Sequence, residues 1–124
     1  MLAIDYIDAS VLVRLNKIGG ADLMEKNISM FYKHASKNLE LAWQAAKGRD
    51  GAALIQSIHK LQSAIWAVGA KGFISHVDKL EKAAEKHEKL NYHALLEELA
   101  AGLIVVRSRL ENLAKYITNE KILA

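Results

Sequence analysis

His59 stands in the middle of the stretch LIQSIHKLQSAIWAVGAKG, residues 54–72. An imidazole with an ordinary pKa near about 6.5 keeps a lone pair available at neutral pH, so it can act as a nucleophile without a cofactor. In that stretch Leu54, Ile58, Leu61, Ile65 and Val68 recur every three or four residues, which predicts one apolar stripe along a helix. His59 falls beside the stripe, on a face shared with Ile55, Gln56, Gln62, Ser63 and Trp66 that need not be buried. No acidic residue occurs between Gly51 and Val77, where Lys60 and Lys71 are the only charged residues. The surface around His59 is therefore expected to be free to meet an acidic partner.

Taken alone, a helical histidine is most often an ordinary surface or core residue. Here its neighbours add to the reading. The run His59, Leu61 and Gly69 resembles the motif of histidine-containing phosphotransfer (HPt) domains, in which H-x-L-K-G is followed by a second glycine ten residues after the histidine. The N-terminal IDASVLVRLNKIGGAD, the second helix and LEKAAEK after the motif are also similar to family sequences, so the resemblance covers nearly the whole chain. The chain departs from the motif at Gln62, where the family usually has lysine, and at Ser63, where it usually has glycine. Trp66 stands where a small residue is common.

The resemblance implies a phosphorelay intermediate. His59 would accept a phosphoryl group from an aspartate in the receiver domain of a response regulator or hybrid kinase, with Mg2+ supplied by that partner, and pass it to another receiver. Such transfer asks mainly for positioning and charge stabilisation, and the carrier needs no kinase or nucleotide site of its own. Gln62, Ser63 and Lys60 are the residues expected to support the phosphoryl group. Gln62 can donate a hydrogen bond but brings no charge, so restoring lysine there is expected to help transfer. Ser63 can hydrogen-bond a phosphoryl oxygen or hinder docking. Lys60 is rotated about 100° from His59 and is a poor substitute for the missing lysine. Ile55, Gln56 and Trp66 are the expected partner-binding residues; Trp66 reads equally as a half-buried packing residue or an aromatic anchor. The alternative, motivated by Gln62, Ser63 and Trp66, is an HPt-like interaction module that binds receivers or kinases without carrying phosphate.

Other chemistries find little support. The chain has no cysteine, and none of His34, His59, His76, His87 and His93 follows a glutamate by three residues, so no metal site or other cofactor is expected. No glycine-rich phosphate loop occurs. Net charge is +3, and the lysines of the densest charged segment, Lys79, Lys82, Lys86 and Lys89, alternate with Asp78, Glu81, Glu85 and Glu88. That reads as a solvated helix face rather than a nucleic-acid stripe. No segment approaches the roughly 18 apolar residues of a membrane span, and the N-terminus lacks a basic leader. A cytoplasmic, monomeric protein is expected.

The elements that must position His59 read as helices throughout. Residues 1–124 form one expected domain, 52% hydrophobic and free of proline. Ile4, Ile7, Val11, Leu12 and Leu15 predict a short first helix ended by Gly19-Gly20, with Asp22 capping the next. Met24, Ile28, Phe31, Ala35, Leu39, Ala42 and Ala46 predict the inner face of the second, and Gly48-Arg49-Asp50-Gly51 its turn. Gly69 and Gly72 mark the end of the histidine helix. A fourth, with Phe73, Val77, Leu80 and Ala84 inward, is expected to stop near Leu90-Asn91. The last carries a heptad seam, Tyr92, Leu96, Leu99, Leu103, Val106, Leu110, Leu113 and Ile117, suited to packing in a bundle or to a coiled coil between chains. The expected fold is all-α: an antiparallel up-down four-helix bundle with a short additional N-terminal helix.

Overall fold

The computed structural model describes residues 2–86 and 92–120. Four helices account for nearly all of them: α1 (Ala9–Lys47), α2 (Gly51–Trp66), α3 (Lys71–Glu85) and α4 (Tyr92–Glu120). There is no strand among the described residues. α1 packs against α2 and α4, and α3 packs against the same two, so the helices close into a ring around one core.

The helix ends follow from local chemistry. Asp8 caps α1, its Oδ1 accepting from the Ser10 amide at 3.1 Å and from the Ser10 hydroxyl at 2.7 Å. Asp50 caps α2 by accepting from the Ala53 amide at 3.0 Å. Gly69 ends the α2–α3 turn at φ 73°, and a Cβ there would lie 2.7 Å from the Asp8 carbonyl oxygen. Only glycine suits that conformation and that approach.

The N-terminal segment is strapped across this turn. The Asp8 amide donates to the Gly69 carbonyl at 2.8 Å, and the Gly72 amide donates to the Tyr6 carbonyl at 3.0 Å. A Cβ at Gly72 would run into the Ala3 carbonyl oxygen. Lys71 adds an ion pair to Asp8 at 3.0 Å. The Asp8 carboxyl is held down at about 2, first by the Ser10 hydroxyl and then by Lys71.

Several sequence expectations are corrected. Ile4 and Ile7 precede the first helix, which starts at Ala9; both still pack against the core from the strap. Gly19-Gly20 does not end the helix with a loop: the chain breaks at Gly20 alone (φ 70°, ψ −162°) and resumes helical geometry at once. Asp22 therefore lies inside the resumed helix rather than at a cap. Gly51 is the first residue of α2, and Gly72 lies in the first turn of α3. α3 ends at Glu85, before the expected stop at Leu90-Asn91, which falls outside the described residues.

The core matches the stripes with small slips of phase. Leu54, Ile58, Leu61, Ile65 and Val68 are all buried, as are Phe73, Val77, Leu80 and Ala84. On α1 the buried residue near the end is Ala45, with Ala46 only half-buried, and on α4 Ala114 is buried while Leu113 is partly so. An α-helix turns 3.6 residues, so a strict seven-residue repeat drifts and the inner position shifts by one. The α4 seam is thus occupied within the chain and offers no face for a coiled coil between chains. Leu61→Ala should cost about 2–5 kcal/mol in urea unfolding, because the residue is fully enclosed and leaves a cavity.

His76 gives the fold a pH dependence. Its Nδ1 is buried without a hydrogen-bond partner among the described residues, and Glu98 lies 3.7 Å away across the α3–α4 contact. Burial, with Lys79 adding to it, pushes the ring pKa below its ordinary 6.5, against an opposing pull from Glu98. The folded state therefore binds the proton more weakly than the unfolded chain. The associated stability is complete above pH 6.5 and is lost as pH falls through the lowered folded value. Chemical denaturation over a pH series should show this slope, and His76→Leu should flatten it.

Candidate functional site

The buried stripe of α2 fixes where His59 points. Ile58 is fully buried, and the next residue turns about 100° around the helix, so the imidazole emerges at the edge of the contact with α3. Its side chain is 60% exposed, well outside the core that encloses Ile58 and Leu61. The ring is not unpartnered, because Nε2 lies 3.0 Å from Glu81 Oε2 on α3. A carboxylate only accepts, so Nε2 donates, and in the neutral ring Nδ1 keeps the lone pair.

One turn further along, the Gln62 amide sits between two carboxylates. Its Nε2 donates to Asp78 Oδ1 at 3.2 Å and to Glu81 Oε1 at 3.4 Å. Glu81 thus accepts from Gln62 on one oxygen and from His59 on the other. The arrangement holds Glu81, itself only 24% exposed, in one orientation against the ring.

This overturns the expectation of an acid-free surface. α2 contributes no acid to it, but α3 brings Asp78 and Glu81 against His59 and Gln62. Restoring lysine at 62 would set its ammonium between these two carboxylates, so its charge would first be neutralised there rather than offered to a phosphoryl group.

The other expected site residues fall in different places. Ser63 spends its hydroxyl on the helix itself, donating to the His59 carbonyl at 3.2 Å. Lys60 is exposed on the other flank of α2, lining a shallow groove with Gln56 and with Leu41 and Gln44 of α1. Ile55 is half-buried against the core rather than presented to solvent. Trp66 is 55% exposed at the end of α2.

Asp78 and Glu81 were missed because their chemistry is supplied across helices. The signal available was their i, i+3 spacing beside the inward Val77 and Leu80, which puts both on one flank of α3. No group of three or more His, Asp or Glu among the described residues could hold a metal ion. No helix among them is long and apolar enough to cross a membrane. No protein-family model, curated protein or solved structure matches the chain.

Glu81→Ala should release the ring. Nitrogen-15 NMR of the imidazole should show the Nε2-protonated tautomer dominating in the natural chain and a mixture of tautomers in the variant. An unchanged spectrum would remove Glu81 from the site.

Proposed function

We propose that the protein is a phosphorelay intermediate that carries a phosphoryl group on His59 between receiver-domain aspartates. The observation that carries this reading is the exposed imidazole, with one nitrogen tied to Glu81 and the other without a partner among the described residues. The free nitrogen attacks the phosphorus of the partner's aspartyl phosphate, an N–P bond forms, the P–O bond breaks, and the carboxylate leaves. The ring gains positive charge as it bonds phosphorus, and the Glu81 carboxylate is positioned to meet that charge. Here Nδ1 is the free nitrogen; a half-turn about Cβ–Cγ would exchange the two nitrogens and leave the logic intact. The divalent ion belongs to the partner, and the reverse step delivers the group to a second receiver.

The architecture we read with this function is an antiparallel up-down bundle, preceded by a short additional helix over 9–19 ahead of the Gly20 break. Support comes from the pairs His59–Glu81 and Gln62–Asp78, whose positions rise on α2 as they fall on α3. Docking is proposed to centre on His59 and Trp66, with Gln56 at the rim and with only a brief, small interface.

One observation favours a second reading. Asp78 and Glu81 concentrate negative charge within hydrogen-bond reach of His59 and Gln62, and no lysine stands at position 62 to offset a phosphoryl group. A module that binds receivers without accepting phosphate would tolerate this charge. Incubation with a phosphorylated receiver domain separates the two: acid-labile label on the natural chain and none on His59→Gln supports the relay. Binding without label on either supports the interaction module. If the relay holds, Glu81→Ala should slow labelling by about 3–10-fold, the net value of one ordinary hydrogen bond at an exposed site.

A further inference from the structure

We propose that two copies of this chain pair through the outer face of α4, crossing antiparallel near residues 100–104. The inner seam of α4 is buried, but the helix carries a second stripe: His93, Glu97, Ala100, Ile104, Arg107 and Glu111, spaced alternately by four and three. Every one of these residues is exposed. Ile104 is 63% exposed, and Val105 beside it 49%, in a run with no charged residue from Leu99 to Val106. Branched apolar side chains at such exposure, on a stripe with coiled-coil spacing, form a surface suited to another helix.

The charges select the occupant. If a second copy lay parallel, like would meet like, with Glu97 against Glu97 and Arg107 against Arg107. In an antiparallel crossing centred at position 102, Glu97 meets Arg107 of the second copy, His93 meets its Glu111, and the small Ala100 meets its Ile104. Small residues opposite large ones is the relief that lets two helices approach closely. Within one chain His93 already pairs with Glu97, and Arg107 with Glu111, both at 2.9 Å. The crossing lays these couples against one another with opposite charges facing, in a pattern that is self-complementary about a two-fold axis. A partner of a different kind would need to reproduce that order of charge by coincidence.

The flank of the stripe adds apolar area. Tyr32 and Trp43 of α1 line the groove beside Ala100 and Ile104, Trp43 packing at a tilt against the His93 ring with centroids 4.6 Å apart and Tyr32 lying under Arg107 at 4.2 Å. Residues 93–111 span about 27 Å, so the contact buries on the order of 1,000 Å² in total, the size of a reversible association. The groove between α1 and α4 lies across the ring from the groove between α2 and α3. Pairing therefore leaves both copies of His59 open, which departs from the monomer expected from sequence.

Sedimentation equilibrium of the full chain over a concentration series tests the proposal. The mass should rise from one chain to two, and Ile104→Glu should weaken the association at least about tenfold. Glu97→Arg and Arg107→Glu should each weaken it, while the double substitution E97R/R107E should restore it by exchanging the signs across the axis. Circular dichroism confirms that each variant keeps its helices. A single-chain mass at every concentration overturns the proposal, and so does a dimer indifferent to Ile104→Glu. A double variant no tighter than either single change also overturns it.

Discussion

The packing of one helical stripe governs this molecule. Leu54, Ile58, Leu61 and Ile65 on α2 are each at most 1% exposed, and α2 cannot turn about its axis without bringing at least one of them into water. Full burial of each such side chain is worth about 1.5–3 kcal/mol, so the rotational setting of α2 is among the most tightly held features of the fold. His59 inherits its direction from that setting. The residue does not need a loop or a cavity to be presented; it needs only to follow a buried isoleucine.

Rotation alone does not bring Glu81 to it. The second constraint is the axial register between α2 and α3, set at the turn from Val68 to Gly72. There the positive φ of Gly69 and the missing Cβ of Gly72 let the N-terminal strap lie directly on the backbone, the Asp8 amide donating to the Gly69 carbonyl and the Tyr6 carbonyl accepting from the Gly72 amide. His59 lies seven residues before the end of α2, and Glu81 ten after the start of α3, distances of about 11 and 15 Å along the helices. Side chains of that length close the difference. Gln62 and Asp78 keep the same offset one turn nearer the strap, so a single register serves both contacts.

How much of this was legible depends on which forces decide it. Apolar periodicity is a property of one helix, and it located the buried faces of α2, α3 and most of α4 in the sequence. Glycines were less transparent. Gly69 ends a helix as its type suggests, yet Gly72 and Gly51 lie within helices: Gly72 answers to the approach of residues 3–6, which no local pattern reveals, and Gly51 follows the Asp50 cap. The isoleucines at 4 and 7 have helical spacing and still belong to a non-helical strap, because their core contacts and the backbone bonds to the turn outweigh propensity. The site was half legible. His59, Gln62, Ser63 and Trp66 could be read from α2, whereas Asp78 and Glu81 come from another helix whose facing partner the sequence does not state.

That missing half changes the meaning of Gln62. Considered on α2 alone, it is a neutral residue where the resemblance implies lysine. Between Asp78 and Glu81 it is a neutral donor that satisfies one oxygen of each carboxylate, leaving the other oxygen of Glu81 for the imidazole. An ammonium in the same place would bind both carboxylates more strongly and would compete with His59 for Glu81. The uncharged amide is therefore suited to an arrangement in which Glu81 keeps one oxygen for the imidazole. Gln62 and the two acidic residues of α3 belong to one hydrogen-bonded unit, in which the glutamine is the group that lets a carboxylate face the ring.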